Sequence, residues 1–205
     1  MSHFTVMVIG EDASMQLARF DEKIVVDEYI VGVVSEEEKQ KMLDYYTKQD
    51  MFEGNFEECY EKNGANWNGN SWRKDSTGAW QEVSTYNPDS KWDWYSLGGR
   101  WSGVFIILKD GCHGTIGERG AFYNATGVDS ARKCDIDFDA IKERGRETFI
   151  PFAVLYNDEW IAKGSMGWFG MHTDTHTDKE WEDIVWNIVE SLPDETLISF
   201  YDCHI

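Results

Sequence analysis

The sequence predicts an α+β fold: a mainly antiparallel sheet with about three helices on one face, forming a single domain over residues 1–205. Three observations lead there. Strand-like runs stand near both ends of the chain, three segments carry helix-start signals, and a short turn signal splits an apolar stretch near residue 157 into a hairpin.

Taken in order, "HFTVMVIG" (His3 to Gly10) alternates, holds β-branched residues and stops at a glycine, which predicts an interior or near-edge strand. In "SEEEKQKMLDYYTKQD" Glu38 follows Ser35 by three residues, a capping box, and acids fill the first turn where the helix dipole favours them. A helix from about Glu36 to Lys48 follows. Residues 63–90 are rich in Asn, Gly and Ser yet hold Trp67, Trp72 and Trp80, so an ordered loop or hairpin excursion is expected there rather than a disordered linker.

"GVFIILK" (Gly103 to Lys109) is a continuous apolar run and predicts a strand buried on both faces. After it, Gly111, Gly114, Gly117 and Gly120 recur at every third position, which predicts an irregular loop whose backbone amides approach something closely. "DIDFDAIKERGRE" runs from acidic to basic, the polarity of a helix from roughly Asp137 to Arg144. "ETFIPFAVLY" and "EWIA" flank an Asn-Asp pair, a hairpin signal between Tyr156 and Trp160. Thr177 and Glu180 form a second capping box, and Trp181, Ile184, Val185, Ile188, Val189 and Leu192 share one helical face until Pro193 stops it. "TLISFYDCHI" reads as a closing strand.

Charge narrows the function classes. The 205 residues carry a net charge of −19, which speaks against a protein that tracks nucleic-acid phosphates. Residues 1–62 hold 15 acids to 6 bases and residues 129–205 hold 17 to 7, whereas residues 63–128 hold 6 of each. A neutral middle that also holds six of the ten tryptophans is where an anionic small ligand would be met. No apolar run reaches the roughly 18 residues of a membrane span, and the start lacks the pattern of a secretion signal, so a cytoplasmic protein without a membrane partner is expected. Cys59, Cys112, Cys134 and Cys203 form no CxxC pair and are expected as free thiols.

The candidate site centres on "WDWYSLGGRWSG". Alternation would set Trp92, Trp94 and Ser96 on one face and Asp93 and Tyr95 on the other, continuing past Gly98 and Gly99 to Arg100 and Trp101. A guanidinium beside a carboxylate and a phenol clamps a planar or phosphorylated ligand, indoles stack on it, and the glycines let backbone amides come close. The same residues also suit a folding nucleus, because indoles bury large areas and an Asp-Arg pair pins turns. "GSMGWFGM" repeats the recipe around Trp168 and would form the second wall of one cleft, or else a tight crossing in a sheet.

Histidines give the catalytic alternatives. His172 and His176 stand four apart, but the residues between them favour a solvated loop over a zinc site. If the terminal strands pair, His3 meets His204 with Asp202 on the same face, a set able to hold a metal or to act as acid and base. Asp93, Asp202 and His204 would then be the catalytic groups. Cys203 next to His204 suggests a nucleophile, but neighbours on a strand point to opposite faces. P-loop, GxSxG and HExxH patterns are lacking, and no cofactor is called for.

"MSHFTVMVIG", "NPDSKWDWYSLGGRWSG", "DIDF", "DEWIAKGSMGWFGM" and the terminal "DCHI" together resemble, in register over the whole chain, a group of proteins encoded by bacteriophages and prophages. This sequence departs from the group in a longer Asn-rich insert before Asn87. The resemblance implies a phage origin and carries over no site residue. The expectation is an accessory protein of host takeover or counter-defence, working in the cytoplasm of the infected bacterium. It would sequester a small nucleotide-derived signalling molecule in the aromatic and arginine-lined cleft. The alternatives are an enzyme hydrolysing such a molecule and an acidic DNA mimic that inhibits a host defence protein. Self-association of the chain is compatible with each.

Overall fold

The alternating run at the start becomes the central strand of a six-stranded sheet, because residues with period two offer an apolar row to each face. The structure is a computed structural model and describes residues 2–49, 53–64, 71–166 and 171–205. In chain order the elements are β1 (His3–Ile9), α1 (Ala13–Ala18), β2 (Val25–Val33), α2 (Glu36–Lys48), α3 (Phe56–Asn63), β3 (Ser71–Lys74), β4 (Trp80–Tyr86) and β5 (Trp94–Leu97). Then follow β6 (Ser130–Arg132), α4 (Phe138–Arg144), β7 (Ala153–Tyr156), β8 (Glu159–Ala162), β9 (Gly164–Met166), β10 (His172–Asp174), α5 (Asp178–Ser191) and β11 (Leu197–His204). Helices combined with mainly antiparallel sheets make the fold α+β. Contacts divide the chain into two compact units, residues 1–23 with 88–205 and residues 24–87.

In the first unit the strand order is β5-β11-β1-β7-β8, with β6 also paired to β11. β1 runs antiparallel to β11 in the register His3 to His204 through Ile9 to Ile198, and parallel to β7. One face of the sheet, with Met7, Ile9, Val154, Ile198 and Phe200, packs against Trp181, Val185, Trp186 and Val189 of α5 and Ile141 of α4. Burying each such side chain contributes about 1.5–3 kcal/mol. The Trp181 indole N–H donates to the Pro151 carbonyl at 2.7 Å, so the buried ring leaves no orphan donor. The opposite face, with Phe4, Val6, Val8, Leu155 and Cys203, packs against Leu17 of α1, Phe20 and Trp92.

The hairpin between β7 and β8 turns at Asn157 (φ +52°) and Asp158 (φ +61°), the two left-handed residues of a type I′ turn. The capping boxes at Ser35/Glu38 and Thr177/Glu180 are both formed, and α4 is capped by Asp137. Three features differ from the sequence expectation. Of the three predicted helices, α4 and α5 cover one face of this sheet, whereas α2 belongs to the second unit. α1 and α3 were not among those predicted, although Asn55 and Glu58 make a third capping box at the start of α3. Residues 103–109 are not a strand: Phe105 and Ile106 are buried, but only isolated bridges tie Ile106 to Val128 and Leu108 to Ile136. Where that run starts, the Gly103 N–H is held by the buried Asp129 carboxylate at 2.6 Å, which turns the chain out of strand geometry.

The second unit is the antiparallel sheet β2-β4-β3 with α2 and α3, around Val34, Met42, Tyr46, Cys59 and Trp72. Tyr60 stacks on Trp72 with centroids 5.9 Å apart. Within residues 63–90 the described part contains β3 and β4 joined through an Asp75 turn, whose carboxylate accepts from the Thr77 and Ala79 amides. Trp67 lies outside the described residues.

Candidate functional site

The polar end of the β1–β11 pair brings together four chemistry-bearing side chains. Alternation puts His3 and Thr5 of β1, Asp202 and His204 of β11, and Trp94 and Ser96 of β5 on one face. This is the face that α4 and α5 cover further along, where the same alternation carries Met7 and Phe200. His3 and His204 are direct cross-strand partners, and their ring centroids lie 5.0 Å apart, edge to face.

Each imidazole has its own carboxylate. His3 Nδ1 lies 2.8 Å from Asp202 Oδ1, a diagonal neighbour on the adjacent strand. His204 Nδ1 lies 2.5 Å from Asp93 Oδ1. An ionised carboxylate only accepts, so in both pairs the imidazole donates through Nδ1. The His204 Nε2 is buried and without a hydrogen-bond partner among the described residues. The side chains of His3 and His204 keep 20% and 13% of their exposure, while Asp202 is sealed at 3%.

Asp202 does a second job. Its Oδ2 accepts the Arg100 backbone N–H at 2.8 Å, which locks the Gly98–Trp101 turn against β11. A neighbouring carboxylate, Asp129, is also fully buried and takes three donors: Ser102 Oγ at 2.7 Å, the Gly103 N–H at 2.6 Å and the Gly117 N–H at 2.8 Å. Sequence reasoning missed Asp129, and nothing in "GVDSAR" marks it.

The residues of the WDWYSLGGRW window are distributed differently from the strict alternation expected. The chain bends at Asp93, so β5 begins only at Trp94, and Trp92 falls on the opposite face from Trp94. Trp92, 5% exposed, is a core residue: it packs with Phe20 and Leu17, its indole N–H donates to the Leu17 carbonyl at 3.1 Å, and its ring meets Tyr95 edge to face at 4.8 Å. Tyr95 also meets Tyr201, at 5.6 Å, so neither Trp92 nor Tyr95 joins Asp93 at the imidazoles. Trp94 stays 45% exposed and stands 6.3 Å from the His3 ring.

Gly98 and Gly99 make room for the chain's own carboxylates. Both have positive φ, +73° and +53°, and a Cβ on Gly98 would fall 2.3 Å from Asp129 Oδ2. The Arg100 guanidinium lies over the Trp101 ring at 6.0 Å and makes no ion pair among the described residues. Trp101 is half-buried, packs against the first core and stacks on Phe122 at 6.2 Å. Trp168 lies outside the described residues.

Elsewhere the histidines and cysteines are scattered. His172 is exposed on β10, and His176 stacks on Trp181 at 6.2 Å. Among the described residues no group of three or more His, Cys, Asp or Glu can hold a metal ion, the set His3, Asp202 and His204 included. Cys203 points into the second core, opposite His204, and burial pushes its thiol well up. Among the described residues no helix is long and apolar enough to cross a membrane.

Comparison with protein-family models, with curated proteins and with solved structures finds no match to this chain. The reading of the site therefore rests on its geometry.

Proposed function

We propose that this chain is a bacteriophage-encoded accessory protein that hydrolyses a small nucleotide-derived signalling molecule in the cytoplasm of the infected host, with His3 and His204 as its acid–base pair. The observation that carries the reading is that two imidazoles stand 5.0 Å apart and each is oriented by a carboxylate of its own. In such a pair one neutral imidazole takes a proton from the attacking water through Nε2. The other, protonated, gives one to the leaving oxygen as the new P–O bond forms and the old one breaks. Trp94 offers a half-exposed plate on which a base can stack, beside His3. The phage origin is supported by the resemblance of the WDWYSLGGRWSG and DCHI segments.

A second reading, capture without turnover, is favoured by the Arg100 guanidinium, which lies over Trp101 and has no ion-pair partner among the described residues. Incubation with a panel of cyclic mono-, di- and trinucleotides separates the two. Hydrolysis gives linear products in the wild type and none with His3→Ala or His204→Ala. Capture returns the nucleotide intact after heat denaturation, and a panel left both unbound and unchanged overturns both readings.

A further inference from the structure

On the opposite face of the same sheet lies a cavity of about 410 Å³, within the range of roughly 300–1,000 Å³ that small-molecule sites occupy. Its apolar wall includes Phe4, Phe152, Trp160 and Met166. Phe4 meets Phe152 at 5.6 Å and Trp160 at 6.3 Å, both edge to face, so the rings brace one another while Phe152 and Trp160 stay half-exposed. The polar part of the lining includes Lys91 and Ser165.

Charge decides what the cavity suits. In a chain with 38 acids to 19 bases, the described residues of the lining include one basic side chain, Lys91, and no Asp or Glu. The Lys91 backbone N–H is held by the Phe20 carbonyl at 2.8 Å, and its ammonium makes no ion pair among the described residues. A lining that joins Lys91 to aromatic walls, with no Asp or Glu among its described residues, favours a flat apolar molecule that bears a negative charge. A neutral molecule would gain only the walls, and a cation would meet Lys91.

We propose that this cavity is a second ligand site, separate from the imidazole pair, which takes a planar aromatic anion no larger than a nucleoside monophosphate. Phe4 and His3 are adjacent in β1 and point to opposite faces, so the two sites are divided by the sheet itself.

The full chain is titrated with 8-anilinonaphthalene-1-sulfonate and with its uncharged analogue N-phenyl-1-naphthylamine, by fluorescence and calorimetry. The expected result is one saturable site for the sulfonate, with the uncharged probe bound about fivefold more weakly, the scale of one partly exposed charge contact. Lys91→Gln should remove that preference. Ala162→Trp, which fills the cavity, should weaken both probes more than tenfold, and Ser165→Trp at the exposed rim does the same job should the first variant fail to fold by circular dichroism. Absence of saturable binding, equal affinity for the two probes in the wild type, or affinities unmoved by Lys91→Gln and by the folded filling variant would overturn the proposal. Binding is read without turnover, so its failure is distinct from a failure of the acid–base reading.

Discussion

A Cβ placed on Gly99 would lie 2.4 Å from the Cβ of Asp202 and 2.6 Å from its Oδ2, so the turn and the buried carboxylate fit only because residue 99 has no side chain. Asp202 in turn orients His3 and holds the Arg100 amide. Gly99 thus shapes the site from behind, through Asp202.

Gly99→Ala should therefore act through the fold. It meets both a positive φ of +53° and the Asp202 clash, and a loss of about 2–4 kcal/mol is expected in urea unfolding. Arg100→Ala removes a side chain that makes no ion pair among the described residues and should cost less than about 1 kcal/mol. Equal losses for the two variants would show that the turn is not held as described.

The tryptophans of the window separate in the same experiment. Trp92 is a core ring, and Trp92→Ala should cost about 3–5 kcal/mol. Trp94 is 45% exposed, so Trp94→Ala should change stability by no more than about 0.5 kcal/mol. Under the proposed function, Trp94→Ala raises KM through lost stacking while kcat changes little.

Asp93 is a positioning residue for His204. Under the proposed hydrolysis, Asp93→Asn keeps the shape but loses the charge that orients the imidazole, so kcat should fall about 10²–10⁴-fold with KM nearly unchanged, and Asp93→Glu should restore part of it. A purely structural role for Asp93 would instead lower the urea midpoint and leave kcat per folded molecule intact.

Burial raises the Cys203 thiol well above its ordinary range, and burial likewise raises Tyr201 beside it. A group whose pKa is higher in the folded chain than in the unfolded one contributes stability that is whole below the unfolded value, about pH 8.5 for cysteine, and lost as pH rises toward the folded value. The urea midpoint should fall between pH 8 and pH 10, and fall less in Cys203→Ala. Native protein should expose Cys112 and Cys134 to a thiol reagent, leaving Cys203 and Cys59 to react only on unfolding.

Local signals made much of the fold legible. The capping boxes at Ser35 and Thr177, the Asn157-Asp158 turn and the period of the first and last strands are short-range features whose energetics depend on a few adjacent residues. The meeting of His3 with His204 was conceivable from the same alternation, because strand parity is a property of the chain, but the pairing of β1 with β11 across almost the whole sequence is not.

Other features were set by contacts between distant residues. Tertiary packing bent the chain at Asp93 and sent Trp92 into the core, made Gly98 and Gly99 the seats of Asp129 and Asp202, and kept the apolar run at 103–109 from becoming a strand. Sequence by itself determined the helices α2, α4 and α5, the first and last strands and the hairpin at Asn157-Asp158, since those follow from capping residues, backbone sterics and side-chain period. Only the tertiary structure decided which polar groups are buried together, because the cost of sealing a carboxylate depends on donors brought from other elements, 12 to 27 positions away for Asp129 and 102 positions away for Asp202.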